Sequence, residues 1–115
     1  MRRRLVTISL AACLLSALVP SAAGADPASR CHLLVTVDGP ALEIRFRLTR
    51  AGALKDWRVR FFRDGDLVYR HVHTTNAEGR LRVVRGFPNT PGRETILATA
   101  RRLETGAICR VSVVI

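Results

Sequence analysis

Two histidines one residue apart, His71-Val72-His73, are the sharpest chemical feature of this 115-residue chain. On an extended strand, residues i and i+2 project from the same side, so the two imidazoles share a face. Just upstream, Asp64-Gly65 is a two-residue hairpin signal, because both residues tolerate the positive φ of a type I′ turn. With regular pairing away from that turn, Arg63 opposes Asp66, Arg58 opposes His71, Trp57 opposes Val72 and Asp56 opposes His73. Asp56, His71 and His73 then share one face. Two imidazoles and a carboxylate are a donor set for divalent copper or zinc. Arg58, placed beside His71, opposes a dication, and two surface histidines on a solvated strand are the plainer reading. The same register turns Arg70 inward with Val68 and Val72. A bulge near Tyr69 relieves that, and turns the histidine pair inward as well.

Arginine is the second feature. Lysine and arginine number 19 against 9 acids, and Lys55 is the only lysine. Arg45 and Arg47, Arg58 and Arg60, and Arg80 and Arg82 occupy alternate positions, so each pair projects from one side of its strand. A positive face of this kind suits anionic cell-envelope polymers or lipid head groups. Aromatic residues do not interleave with the arginines as base stacking requires, so specific nucleic-acid recognition is not expected. Outward strand positions must in any case be polar, and a solvated surface accounts for much of this pattern. Regular pairing also gathers Phe62, Leu67 and Tyr69 on the outer side of the hairpin, a small apolar patch suited to a protein contact.

Enzyme signatures are lacking. The chain has no G-x-S-x-G elbow, no phosphate-binding G-x-x-x-x-G-K loop, no H-E-x-x-H helix and no C-x-x-C pair. No catalytic residue and no cofactor is singled out, and the chain reads as a non-enzyme.

The N-terminus carries the compartment. Arg2-Arg3-Arg4 precede an uncharged apolar run from Leu5 to Val19; Pro20 and Ser21 break it, and Ala23-Gly24-Ala25 supplies small residues for a signal peptidase. Residues 1–25 therefore read as a secretory signal peptide, too short in its apolar run for the roughly 20 residues of a transmembrane helix. Leu10-Ala11-Ala12-Cys13 also matches a lipoprotein box, though the residues after Cys13 stay apolar. Cleavage removes three arginines and no acid, leaving 16 basic and 9 acidic side chains on residues 26–115. No transmembrane span is expected after cleavage. Cys31 and Cys109 remain, and in an oxidising compartment they read as a disulfide joining the first and last segments of the fold.

Those segments alternate with period two almost throughout, the strand signature. Seven short strands are expected, separated by turns at Asp38-Gly39-Pro40, Ala51-Gly52-Ala53, Asp64-Gly65, Asn76 to Gly79, Phe87 to Gly92 and Glu104-Thr105-Gly106. The count and spacing point to an all-β, seven-stranded antiparallel sandwich, with Trp57 in its core. Seven strands with Trp57 on the third resemble an immunoglobulin-like sandwich. The run Thr75-Asn76-Ala77-Glu78-Gly79-Arg80-Leu81-Arg82-Val83, then Pro88 and Pro91-Gly92, resembles bacterial surface domains of the immunoglobulin-like and prealbumin-like kind. The resemblance lies in turn chemistry, so it implies fold rather than activity. The cysteines sit on the first and last strands, unlike the second and sixth strands of antibody domains.

The expected function is a non-enzymatic extracytoplasmic module, secreted or periplasmic, that contacts a protein or an anionic envelope polymer. The alternative is a metal-binding sandwich using the His-x-His strand.

Overall fold

The computed structural model describes residues 29–115. The signal peptide expected over 1–25 lies outside the described residues. Seven strands follow one another: β1 (Arg30–Asp38), β2 (Ala41–Thr49), β3 (Asp56–Arg63), β4 (Asp66–Thr74), β5 (Leu81–Pro88), β6 (Thr95–Arg102) and β7 (Ile108–Val114). They form two antiparallel sheets, of order β1-β2-β5 and β4-β3-β6-β7. The molecule is an all-β sandwich.

Alternation explains the central strands. Leu42, Ile44, Phe46 and Leu48 of β2 are fully buried, while Glu43, Arg45, Arg47 and Thr49 face outward. Trp57, Val59 and Phe61 of β3 are buried in the same way, and Ala98 and Ala100 of β6 lie in register with Phe61 and Val59. The small β6 residues beside large β3 side chains let the layers interlock, and the Phe46 and Phe61 rings meet edge-on at 6.2 Å. The Trp57 indole N–H donates to the Ala51 carbonyl at 3.0 Å, which satisfies its one polar atom inside the core.

Cys31 and Cys109 are bridged, joining β1 of one sheet to β7 of the other. That bond closes one side of the sandwich. On the opposite side, β4 and β5 are the edge strands, and side chains rather than backbone span the gap between them.

Two turns lock the end of the sandwich near Trp57. The Thr75 side chain is buried; its hydroxyl accepts from the Lys55 N–H at 2.8 Å and donates to the Gly52 carbonyl. Asn76 Oδ1 accepts from the N–H groups of Glu78 and Arg80, folding 76–80 into a tight turn. Gly79 sits at φ 75° against the Gly52 backbone, and the Ala51 N–H donates to its carbonyl at 2.9 Å. The β2–β3 and β4–β5 turns are thereby docked on each other.

Two expectations are corrected. Phe87 and Pro88, expected in the loop, instead end β5, opposite Leu42 and Ala41. An edge strand tolerates a proline, whose missing N–H can face away from the ladder, and β5 is such an edge. The larger correction concerns the β3–β4 hairpin. Asp64 and Gly65 form the expected turn, with φ 48° and 88°, and Arg63 opposes Asp66 as expected. Phe62 pairs with Leu67, but Phe61 then pairs with Tyr69, so Val68 is an extra residue in β4. Every later side chain of β4 changes face relative to regular pairing.

Candidate functional site

The bulge at Val68 decides which chemical groups meet. Tyr69, His71 and His73 oppose Phe61, Val59 and Trp57 and point to the inner side of β4. Arg70 and Val72 point outward instead, which spares the interior a guanidinium. Asp56 faces Thr74, whose hydroxyl donates to its carboxylate at 2.6 Å on the outer side of the sheet. Asp56 is therefore not brought together with His71 and His73. Among the described residues, no group of three or more His, Cys, Asp or Glu side chains is placed to hold a metal ion. The apolar patch loses Tyr69 for the same reason. Phe62 stays outward between Leu67 and Leu97, with Leu67 about half exposed.

The inner side of β4 carries its own cluster. The His71 and His73 rings are 5.0 Å apart, and the Tyr69 hydroxyl lies 2.7 Å from His73 Nε2. Arg85 reaches across from β5. Its guanidinium lies over the Tyr69 ring at 5.0 Å, and Nη2 stands 3.4 Å from the phenolic oxygen. Partial burial, then His71, then Arg85 push the His73 imidazolium below its ordinary pKa. With Nε2 unprotonated, His73 accepts a hydrogen bond from the phenolic O–H; with Nε2 protonated, it donates to the phenolic oxygen. His32, beside Cys31, lies on the outer face of the other sheet, in register with Arg47.

The arginines divide between the two outer faces. Arg45, Arg47 and Arg82 lie on the outside of the three-stranded sheet, where Arg47 faces Arg82 across the ladder and Arg45 is held by Glu43 at 2.7 Å. Arg80 sits in the turn just before β5. Arg58 and Arg60 lie on the outside of the four-stranded sheet, and the register gives them company that linear spacing could not show. Arg60 is flanked by Arg70, and across Thr99 lies Arg110; Arg58 is flanked by Val72 and Arg101. Strands are about 4.8 Å apart, so five guanidinium stems rise within two adjacent rows. Asp56 is the one outward carboxylate along these four strands.

Two acids, Glu94 and Glu104, are engaged elsewhere. Glu94, largely buried, is gripped by two nitrogens of an inward-facing Arg63, the terminal Nη2 donating at 2.9 Å and Nε at 3.0 Å. That grip, then the Thr90 hydroxyl, holds the Glu94 carboxyl below its ordinary pKa. Arg63 also donates to the Pro88 carbonyl at 2.8 Å, tying β3 to the end of β5. Glu104 accepts from Lys55 and Arg102, and Lys55 first and Arg102 second lower its pKa. None of Arg58, Arg60, Arg70, Arg101 or Arg110 makes an ion pair among the described residues.

No family model, curated protein or solved structure matches the chain. The surface offers three candidate contact regions: the arginine band, the inner cluster of β4 and β5, and the small Phe62 patch. Arg70 and Arg110 are the band members that linear spacing missed, and Arg101, adjacent to Arg102 in sequence, reads there as part of a turn cluster. Arg101 and Arg110 become neighbours of the band only once β6 is known to lie between β3 and β7.

Proposed function

We propose that the protein is a non-enzymatic, extracytoplasmic module of immunoglobulin-like architecture that binds an anionic envelope polymer on the outer face of its four-stranded sheet. The observation that carries this reading is the band of Arg58, Arg60, Arg70, Arg101 and Arg110. Arg60 opposes Arg70 directly, and Arg58 opposes Arg101. Like charges in opposed cross-strand positions disfavour folding. A polyanion laid over the face removes that repulsion and releases its own counterions.

Strand order β1-β2-β5 against β4-β3-β6-β7, with β4 extending the sheet of β3, β6 and β7, supports the immunoglobulin-like assignment. The Cys31–Cys109 bond supports an oxidising compartment. The Phe62-Leu67 contact at the hairpin end borders the band and gives a partner an apolar foothold.

The test is calorimetric titration with long-chain polyphosphate at several salt concentrations. If all five arginines engage, the affinity should fall with a log–log slope of about −3 to −4, at roughly 0.7 per charge for a single-stranded polyanion. The R58E/R60E/R70E variant should lose most of that slope. An R45E/R47E/R82E variant on the other sheet should bind as well as the parent. The reverse ranking, or a slope near zero for the parent, would move binding off this face.

A further inference from the structure

Arg85 occupies a position where the alternation of β5 calls for an apolar residue. Leu81, Val83 and Phe87 share its inward parity and pack on or against the core. Arg85 instead turns along the edge, donating to the Val84 carbonyl at 2.7 Å and lying over Tyr69. Opposite it on β4 stand His71, exposed, and His73, half-buried. The β3 residues behind them, Trp57, Val59 and Phe61, are apolar. No carboxylate is bonded to any member of this group among the described residues. Arg85 is solvent-exposed at this edge, with no acid bonded to it and the β4 imidazoles nearby, so its charge is open to an anion from solution.

We propose that the open side of the sandwich, between β4 and β5, is a binding site for one dianionic oxyanion of the sulfate or phosphate type, held by Arg85, His71 and His73. This site is separate from the arginine band on the outer face. Arg85 supplies the fixed charge and a planar fork of N–H donors. Each imidazole adds a donor and, when protonated, a charge. Tyr69 braces both sides: its ring carries the guanidinium and its hydroxyl holds His73 in place. In the empty site, partial burial, then His71, then Arg85 disfavour a charged His73. A bound dianion reverses that balance, so binding takes up protons and strengthens as pH falls. The other polar groups facing the site from β4 and β5 are the Tyr69 phenol and Arg85 itself. The guanidinium disfavours a metal dication in the same place.

The experiment is a sulfate titration of the intact disulfide-bonded protein, followed by NMR of the imidazole and arginine side-chain signals between pH 7.5 and 5.5. Sulfate keeps its charge over this range, so the pH dependence belongs to the protein. The expected result is saturable binding that shifts His71, His73 and Arg85, and an affinity rising about tenfold or more on acidification, within the tenfold per pH unit that each proton allows. R85Q should lose at least about tenfold in affinity, with R85K keeping part of it. H71Q/H73Q should bind with little pH dependence. R58E/R60E/R70E should leave the site intact, which separates it from the proposed polymer face. Unsaturable shifts, equal affinity in R85Q, an unchanged pH profile in H71Q/H73Q, or acetate binding as tightly as sulfate would each overturn the assignment. So would stoichiometric copper or zinc bound more tightly than sulfate at His71 and His73.

Discussion

Replacing Thr75 by valine tests whether the two docked turns hold the sandwich together. Valine keeps the shape of the side chain and removes only the hydroxyl. That hydroxyl serves two backbone groups at once, accepting from the Lys55 N–H at 2.8 Å and donating to the Gly52 carbonyl. Thr75 is buried, so neither group regains a solvent partner easily. An orphaned buried polar group costs about 1–3 kcal/mol. Gly52 and Lys55 are only half-buried, which places each loss near the lower end and the total at about 2–3 kcal/mol. For a domain of this size, each kcal/mol moves Tm by about 4–8 °C, so T75V should melt about 10–20 °C lower. The assay is urea and thermal unfolding read by the fluorescence of Trp57, whose indole is bonded to Ala51 in the same turn. T75S keeps the hydroxyl and should lose about 1 kcal/mol or less, the worth of one methyl group. A T75V loss under about 1 kcal/mol, or a T75S loss equal to it, would show that packing rather than the shared hydroxyl secures the turns.

Two further outcomes bear on stability. Glu94 is held as a carboxylate by Arg63 and Thr90, with its pKa below the ordinary value. Its contribution is therefore complete at neutral pH and is lost as pH falls through the lowered folded pKa. Calorimetric melts should show E94Q well below the parent at pH 7, with the gap closing in acid, below about pH 4. A gap of equal size at both pH values would mean the carboxylate charge is irrelevant. Reduction of Cys31–Cys109, or the C31S/C109S variant, removes a closed loop with a sequence separation of 78. The chain-entropy model puts the loss at about 4–5 kcal/mol. Urea melts of oxidised and reduced protein measure it, and a difference below about 1 kcal/mol would contradict that model here.

The strands were legible where their two faces differ in character. Leu42, Ile44, Phe46 and Leu48 against Glu43, Arg45 and Arg47 admit one reading, and β2 forms as expected. Trp57, the Asp64-Gly65 turn and the cysteine pair were equally plain. β4 was not, because Leu67-Val68-Tyr69 are consecutive apolar residues and either face could claim them. One extra residue there exchanged the faces of Tyr69, Arg70, His71, Val72 and His73. The sequence did hold a clue, since regular pairing would have buried Arg70. It held a second in Arg85, which shares the parity of Leu81, Val83 and Phe87. The arginine band was half visible, because pairs along a strand can be read from spacing. Its cross-strand half depends on sheet order, and no local pattern encodes which strand lies beside which.

The Cys31–Cys109 bond also sets how the protein carries tension. A pull applied to the chain before Cys31 and after Cys109 passes through the sulfur atoms, so the ladders between them bear little load. While the bond is intact, stretching draws out only the flanking chain. Once it is reduced, the same pull acts on β1 and β7, and unfolding releases the enclosed chain. At 3.3–3.6 Å per extended residue, a separation of 78 holds roughly 260 Å in reserve. Thiol redox state thus selects between a short stiff link and a long extensible one.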